Sequence, residues 1–308
     1  MILFGIGEGN VIMERNSELV SVIITTYKRE LNVLMQAVDS VRDQTYDSIE
    51  IIIIDDNGKD SEFSKLNFDM FGNMQGIRYF VNEKNSGAQF SRNRGVLLSK
   101  GNYVAFLDDD DVWMPQKIEK QMALFTNSNV GMVFCDAYLM KDDGDCTEKY
   151  QGNPVFDRSI SLEMLLFNDY IGSTSQALIK KECFAKCGLF DVDMPARQDY
   201  EMWLRISKFY DIYGVNEPLW YYRIHEGERI STNLKKCLIA YKKMLKKHKE
   251  EFKKHSYAKA KFLLRICKVN FQMKKYVQAV GYFIWAMLKN IKCVYNTLIK
   301  HSMEFKGN

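Results

Sequence analysis

What this chain lacks already narrows its class. It has only 4 prolines in 308 residues and no low-complexity stretch, so long disordered linkers are not expected. Its 7 cysteines form no CxxC pair and no metal-binding spacing, which argues against a zinc ribbon and fits free thiols in a reducing cytoplasm. Residues 1–16 have no basic segment leading into an apolar one, so no secretory signal is predicted. The apolar stretch 281–288 is too short to span a bilayer.

Acidic residues are scarce at the C-terminal end. Residues 231–308 hold 19 Lys or Arg and 3 Asp or Glu, whereas the rest of the chain holds 24 and 36. Basic helices with apolar and aromatic residues suit an anionic membrane surface, so a peripheral contact is predicted for residues 231–308. Helices packed on the body of the chain, or on a second copy in a homo-oligomer, are the alternative. Nucleic acid is not an expected partner, because no recognition motif accompanies the charge.

A strand, a helix and a second strand are predicted between residues 19 and 58. Residues 20–27 have the pattern of a buried strand that ends in hydroxyl residues. Residues 50–54 are a continuous apolar run that ends at Asp55 and Asp56. Between them, leucine and valine recur on one helical face, at Leu31, Leu34, Val38 and Val41. A βαβ unit with a right-handed crossover follows, and it brings both polar strand ends to one edge of a parallel sheet.

A third strand end carries four consecutive carboxylates. The apolar residues 104–107 lead directly into Asp108, Asp109, Asp110 and Asp111. Four adjacent negative charges repel one another unless solvent or a cation compensates them. A solvated acidic turn would satisfy this pattern. The carboxyl edge of an α/β sheet is, however, where ligands bind, and a hard divalent cation that also holds a phosphate rests on one or two carboxylates.

Five motifs in order now give the chain a specific resemblance. They are VSVIITTY, IIIIDDNG, NSGAQFSRNRGV, GNYVAFLDDDDVW and RQDYEMWLR. Together they resemble the family 2 glycosyltransferases, over about two thirds of the chain. The resemblance implies an α/β protein of the GT-A fold, with a mostly parallel nucleotide-binding sheet flanked by helices. The expected domain covers residues 17–230, divided into a nucleotide-sugar half (17–114) and an acceptor half (115–230), and residues 231–308 form a helical extension.

The resemblance also implies roles for the residues of the nucleotide half. Thr25 and Tyr27 would line the base pocket, and Asp56 would accept a hydrogen bond from the base imide. An Asx-turn role is the alternative for Asp56. Asp108 would lie near the ribose, with Asp109 able to share that role, because the run of four leaves the register open by one residue.

Metal and phosphate contacts follow from the same resemblance. Asp110 would bind Mn2+ or Mg2+. Arg92, on a helix marked by the spacing of Phe90, Asn93 and Leu97, would face phosphate or the acidic run, whereas Arg94 is as compatible with a surface charge. The segment WYYRIHEGERIS resembles a closing loop of non-processive members, in which Arg223 contacts phosphate and His225 binds metal or phosphate. The QxxRW sequence of processive synthases is absent.

The second half of the chain would supply the base. By resemblance Asp199 takes the proton of the acceptor hydroxyl, with the uncharged Gln198 where the family has Glu. A helix N-cap is the alternative role for Asp199. Glu201 is expected on the helix surface. Asp111 is expected to be structural, capping the helix near Pro115.

These assignments predict an inverting, metal-assisted glycosyltransferase that acts in the cytoplasm. The donor is a nucleotide-sugar, with UDP favoured, and the acceptor is a saccharide or a lipid-linked saccharide of a cell-surface polysaccharide. A sugar nucleotidyltransferase is the first alternative, but residues 25–29 lack the glycines of its phosphate loop. A non-catalytic nucleotide-sugar-binding protein of the same fold is the second.

Overall fold

The computed structural model describes residues 18–141, 146, 148–150, 159–224 and 233–304 of the 308-residue chain. Eight strands form one sheet in the order β3-β2-β1-β4-β7-β6-β8-β5. Six of them run in the same direction, and β5 and β7 run against their neighbours. Their bounds are Val20–Thr26 (β1), Ile49–Asp55 (β2), Ile77–Val81 (β3), Tyr103–Asp108 (β4), Val112–Trp113 (β5), Val130–Met140 (β6), Leu178–Lys180 (β7) and Asp211–Arg223 (β8).

Within the described residues, seven α-helices accompany this sheet, and five more form the C-terminal extension. The first seven are Leu31–Arg42 (α1), Glu62–Phe71 (α2), Ala88–Leu98 (α3), Lys117–Met122 (α4), Leu162–Phe167 (α5), Lys181–Cys187 (α6) and Gln198–Ile206 (α7). The extension comprises Leu234–Lys247 (α8), Lys249–Lys254 (α9), Ser256–Gln272 (α10), Tyr276–Lys289 (α11) and Ile291–Glu304 (α12). The α/β class with a helical extension is therefore confirmed.

Alternation along the strands gives the sheet two apolar faces. Val22 and Ile24 of β1 pack with Leu34 and Val38 of α1, so the predicted βαβ unit is confirmed. The other face of β1 carries Ile23, which packs toward helix α3. Burial of continuous Ile and Val runs on both faces is what drives these strands into the centre of a parallel sheet.

The close contact of α3 with β1 depends on a glycine. A methyl group at Gly95 would lie 2.4 Å from the Cγ2 atom of Ile23. Helix α3 buries small and polar residues instead of an apolar stripe, while Phe90 and Leu97 are exposed. The predicted helix is therefore confirmed, but the spacing of Phe90 and Leu97 does not mark its buried face. This packing places Arg92 next to the sheet.

The extension is attached to the body through its first three helices. Tyr241 of α8, Phe252 of α9 and Phe262 of α10 are buried in the same apolar core as Trp203 of α7. These residues come from the segments that the sequence assigned to a membrane surface, so the alternative of helices packed on the body is correct for α8–α10. Among the described residues, no helix combines the length and the apolar character needed to cross a bilayer.

Candidate active site

The carboxyl edge of the parallel strands gathers the predicted polar residues. Thr25 at the end of β1 lies in register with Asp108 at the end of β4, and Thr26 with Asp55 at the end of β2. Strand β8 runs in the same direction and ends at Arg223 on this edge. The topology therefore brings four strand ends to one edge. The sequence pattern predicts the ends of β1, β2 and β4, and the structure adds the end of β8.

The four aspartates are held in four different ways. Asp109 is buried, and it accepts hydrogen bonds from the Nε atom of Arg29 at 2.9 Å and from the backbone N–H of Tyr27 at 3.3 Å. Burial raises the pKa of Asp109 to about 6, although the charge of Arg29 opposes that shift. The side chain of Asp109 therefore ties the end of β1 to the end of β4.

Asp110 is the more open neighbour. One of its oxygens lies 2.8 Å from an Nη atom of Arg29, and its side chain retains 22% of its exposure. The Nε atom of Arg223 donates to the backbone carbonyl of Asp110 at 2.9 Å, and an Nη atom of Arg223 donates to Gln36. Arg29 thus pairs with the carboxylate that the sequence assigns to the metal, and Arg223 binds the backbone of the same residue.

Asp111 does not cap a helix, and the predicted cap is wrong. Helix α4 begins at Lys117 after Gln116, and Asp111 is instead fully buried. It accepts from the hydroxyl of Ser175 at 2.7 Å and from the backbone N–H of Arg223 at 3.2 Å. Burial and the charges of the neighbouring aspartates raise its pKa well above the ordinary value. Its structural role is confirmed, but its partners lie more than sixty residues away in sequence.

Arg92 connects the acidic run with the second half of the chain. An Nη atom of this arginine, which is only 6% exposed, lies 2.5 Å from a carboxylate oxygen of Asp108. The charge of the same guanidinium opposes part of the rise that burial and the charge of Asp169 cause in the pKa of Asp199. Its Nε and second Nη atoms are buried, and no hydrogen-bond partner is found for them among the described residues. Arg92 therefore presents unused donors between the two carboxylates.

Asp199 lies in the first turn of α7, not at its cap. The cap position belongs to Arg197, which has a left-handed backbone (φ 57°, ψ 27°), and the alternative role of Asp199 as N-cap is thereby wrong. Left-handed non-glycine residues cost energy and cluster at functional sites. Burial, followed by the charge of Asp169, raises the pKa of Asp199 to about 6. A carboxyl group with this pKa ionises near neutral pH and is suited to proton transfer.

The ends of β1 and β2 at this edge lead into Tyr27 and Asp56. The ring of Tyr27 is 44% exposed, and the adjacent Lys28 has a left-handed backbone (φ 51°). Asp56 is buried, and its carboxylate accepts from the amide of Asn82 at 2.6 Å and from the backbone N–H groups of Ser86 and Gly87. It therefore holds the loop before α3 in place. The Asx turn at this point belongs to Asp55, which accepts from the backbone N–H of the residue two positions on.

Glu201 is buried, so its expected place on the helix surface is wrong. Its side chain has no exposed area and lies 3.0 Å from both Lys247 and the Nε atom of Arg205. The Nε2 atom of the buried His248 lies 3.2 Å away. Burial disfavours the charge, but the hydrogen bond with His248 and the two cations lower the pKa of Glu201 to about 2. This cluster joins α7, two residues beyond Asp199, to the extension.

The residues of the acidic run suit a metal that takes most of its ligands from substrate and water. Among the described residues, no three His, Cys, Asp or Glu side chains are grouped to hold a metal ion. Asp110 offers a partly exposed carboxylate, the ligand type that Mg2+ and Mn2+ accept, and Mg2+ sites commonly have one or two carboxylates with phosphate oxygens. His225 lies outside the described residues. A closed protein cage is not formed by the part of the chain that the structure describes.

Several residues of the site were not found from the sequence. Arg29 compensates Asp109 and Asp110, and a basic residue just after a strand that ends at an acidic edge was the signal for it. Ser175 and Asp169 come from the loop before β7, which has no motif of its own. Asp169 accepts from the backbone N–H groups of residues 171 and 172 and lies close enough to Asp199 to raise its pKa.

Comparison with known proteins agrees with this architecture. Residues 21–188 match the model described as glycosyl transferase family 2. TuaG of Bacillus subtilis (strain 168), a glycosyltransferase provisionally assigned to teichuronic acid biosynthesis, is 32% identical over 244 residues, which cover 75% of this chain and 90% of TuaG.

Two solved structures share the fold. One is S. aureus TarS 1-349 in complex with UDP-GlcNAc, with a TM-score of 0.62, 16% identity and coverage of 87% of this chain and 81% of that chain. The other is the mannosyltransferase PcManGT from Pyrobaculum calidifontis in complex with GDP-Man and Mn2+, with a TM-score of 0.63, 14% identity and coverage of 94% and 81%. These likenesses establish the GT-A fold, and the family match identifies the chain as a member of the family 2 glycosyltransferases.

Proposed function

We propose that this glycosyltransferase moves a sugar from a nucleotide diphosphate donor, preferably a UDP-sugar, to an acceptor hydroxyl with inversion at the anomeric carbon. The observation that carries the proposal is the position of Arg92. One buried guanidinium lies against Asp108 of the nucleotide half and within electrostatic reach of Asp199 of the acceptor half. The donor side and the base side of the reaction therefore share one site.

The nucleotide would bind across the ends of β1, β2 and β4. Thr25 and the exposed ring of Tyr27 would contact the base, with the ring as a stacking face. The carboxylate of Asp56 can accept about four hydrogen bonds. It accepts three from groups of this protein, which leaves one for the imide N–H of uracil. Asp108 and Asp109 would contact the ribose, with the half-exposed Asp108 the more accessible of the two.

The displacement needs a base on the face of the sugar opposite the diphosphate. The acceptor oxygen forms a bond to the anomeric carbon while its proton passes to a carboxylate oxygen of Asp199. The bond between that carbon and the diphosphate oxygen breaks, and the electron pair leaves on the phosphate. The raised pKa of Asp199, about 6, makes this carboxylate a stronger base than an exposed aspartate while it remains ionised at neutral pH.

Positive charge must then compensate the departing diphosphate. Arg223 lies against Asp110, and its fork of donors is suited to phosphate oxygens. Asp110 and His225 would hold Mn2+ or Mg2+, which supplies further charge compensation at the leaving group. Arg29, which neutralises Asp109 and Asp110 in the structure, contributes a third cation at this edge.

The acceptor is proposed to be a saccharide or lipid-linked saccharide of a bacterial cell-surface polysaccharide. The assignment of TuaG to teichuronic acid biosynthesis supports this setting. Such an acceptor would place the enzyme in the cytoplasm, peripherally at the inner face of the membrane, and the basic residues 231–308 favour that location.

Nucleotide release from a panel of nucleotide-sugars with Mn2+ tests the reaction. The wild type is expected to release the nucleoside diphosphate with one donor, faster when acceptor is present. Asp199→Asn should abolish turnover and spare donor affinity measured by calorimetry, whereas Asp110→Ala should lose both. Asp193→Asn, an exposed aspartate six residues earlier, is the matched control and should behave as wild type.

Three outcomes would contradict the proposal. Binding of nucleotide-sugars without turnover by the wild type would favour the non-catalytic binding protein. Production of pyrophosphate from UTP and a sugar 1-phosphate would favour a nucleotidyltransferase. Loss of donor affinity in Asp199→Asn would move Asp199 to the donor site.

A further inference from the structure

Among the described residues, helices α11 and α12 leave a long row of apolar side chains exposed. On α11, Val277, Val280, Ile284 and Leu288 follow a spacing of three or four residues, and all four are exposed, from 47% to 84%. The opposite side of α11 carries the buried Ala279 and Ala286, which face α10 and its neighbours. The exposed residues are therefore one face of the helix, and not scattered surface positions.

Helix α12 carries a second exposed apolar face. Its exposed apolar residues are Ile291, Tyr295 and Leu298, again at a helical spacing, while Cys293 and Val294 are buried on the other side. Leu288 and Ile291, on either side of the junction between the two helices, are 77% and 72% exposed. We name the residues 277, 280, 284, 288, 291, 295 and 298 the α11–α12 face. An exposed apolar surface of this kind, on two consecutive helices, marks an interaction site.

The segment that carries this face has charges of one sign. Residues 255–299 contain eight Lys or Arg and no Asp or Glu. Lys274 and Lys275 precede α11, and Lys289 and Lys292 flank the junction, all with exposed positions. An apolar helix face with exposed lysines beside it, in a segment without acidic residues, is complementary to a surface with an apolar interior and negative headgroups.

We propose that the α11–α12 face docks on an anionic lipid bilayer, with the apolar residues in the headgroup boundary and the lysines on the phosphates. A second copy of this chain is the less suitable occupant, because a symmetric contact would bring two uncompensated basic surfaces together. The docking surface is narrower than residues 231–308. Tyr241, Phe252 and Phe262 are buried against the body and have no access to lipid.

The position of α10 relates the docking surface to catalysis, and this relation rests on the proposed function. Helix α10 contacts α11 on one side and α5 on another. Its Arg265 donates to the backbone carbonyl of Phe167 and to Asn168 at 2.7 Å, at the loop that carries Asp169. One helix therefore separates the lipid face from the loop beside Asp199, so docking would bring a lipid-linked acceptor near the base.

Flotation of the full chain with vesicles tests the docking directly. We expect the wild type to float with vesicles of phosphatidylcholine and phosphatidylglycerol, and binding to fall at high salt or with phosphatidylcholine alone. The double variant Val280→Asp and Ile284→Asp should lose flotation, and replacing Lys289 and Lys292 by Gln should weaken it by about tenfold or more. Because these side chains are exposed, the substitutions do not disturb the core. Leu97→Asp, an exposed leucine on α3, is the matched control.

Fluorescence supplies a second measurement. Of the four tryptophans, Trp113, Trp203 and Trp220 are buried, whereas Trp285 is 38% exposed and borders the α11–α12 face. Lipid binding should therefore shift the emission of Trp285 to the blue, and Trp285→Phe should remove that shift. An unchanged spectrum in the presence of bound vesicles would place the contact elsewhere on the protein and overturn the proposal.

Other outcomes separate docking from catalysis. A wild type that does not float, or a double variant that floats unchanged, overturns the docking proposal. So does a concentration-dependent dimer that the double variant abolishes without any lipid binding. Release of nucleotide with a soluble acceptor should be equal in the wild type and the double variant. Lipid binding by a protein without turnover would support the docking surface and contradict the proposed function alone.

Discussion

Removal of the charge of Glu201 should destabilise the protein strongly, although this residue was expected at the surface. Glu201 has no exposed area, and Arg205, Lys247 and His248 surround its carboxylate. In Glu201→Gln these groups lose a buried partner. The pKa of Glu201 falls from 4.5 to about 2 on folding, which corresponds to roughly 3 kcal/mol of stability at neutral pH. Removing one member of a buried ion pair typically costs about 3–5 kcal/mol. The loss of stability expected from the pKa shift is therefore of the same size.

Urea unfolding at pH 7, followed by circular dichroism and by the fluorescence of the buried Trp203, measures this loss. The exposed Glu250 on α9 gives the control Glu250→Gln, for which a change below about 0.5 kcal/mol is expected. Hydrogen exchange should show lower protection in α8, which holds Lys247. Equal unfolding free energies for the wild type and Glu201→Gln would refute the reasoning.

The pH dependence provides a sharper test of the same contact. The folded-state pKa of Glu201 is lower than its unfolded value, so its contribution is complete above about pH 4.5 and is lost as the pH falls toward 2. The difference in unfolding free energy between the wild type and Glu201→Gln should therefore shrink below pH 4.5. A difference that stays constant there would mean that packing, and not charge, holds Glu201.

Three further predictions follow from the site and its supports. The kcat/KM of transfer should fall as the pH is lowered, with an apparent pKa of about 6, because Asp199 must be ionised to accept a proton. A kcat/KM that stays constant down to pH 5 would contradict this. Ser175→Ala removes a buried hydrogen bond to Asp111, so unfolding free energy in urea should fall by roughly 1–3 kcal/mol, and no change would show that Asp111 is satisfied without it. Gly95→Ala should lower the melting temperature, with a cost of about 1–3 kcal/mol for overpacking against β1. Gly281→Ala, where the added methyl group meets no atom within 4 Å, is its control and should raise stability by up to ~1 kcal/mol.

Local patterns predicted the first strands and helix of the sheet correctly. Strand β1, helix α1 and strand β2 appear where the apolar periodicity places them, and the parallel register then fixes Thr25 beside Asp108. Sequence patterns succeed here because each element buries a continuous or periodic apolar set. The polar residues that follow each strand must then lie at one edge.

The individual roles of the four aspartates were less predictable. All four have the same chemistry and adjacent positions, yet Asp108 contacts Arg92, Asp109 and Asp110 contact Arg29, and Asp111 contacts Ser175. These partners come from α3, from the end of β1 and from the loop before β7. Their distances in sequence carry no periodic signal, so no local rule selects among them.

The C-terminal extension also shows what local sequence patterns do not predict. Its lysines and aromatic residues predict a basic amphipathic segment, but the pattern does not say which apolar face another element covers. Helices α8–α10 bury theirs on the body, and the α11–α12 face stays open. Glu201 was placed on the surface for the same reason, since its buried partners Lys247 and His248 lie more than forty residues further along the chain.

The sequence by itself determined the strands, the helices and the edge at which the carboxylates gather, because apolar periodicity and strand direction are local properties of the chain. Only the tertiary structure decided which charges compensate one another and which surfaces stay exposed. Both depend on contacts between segments far apart in sequence, and burial of a charge is stable only where such a partner reaches it.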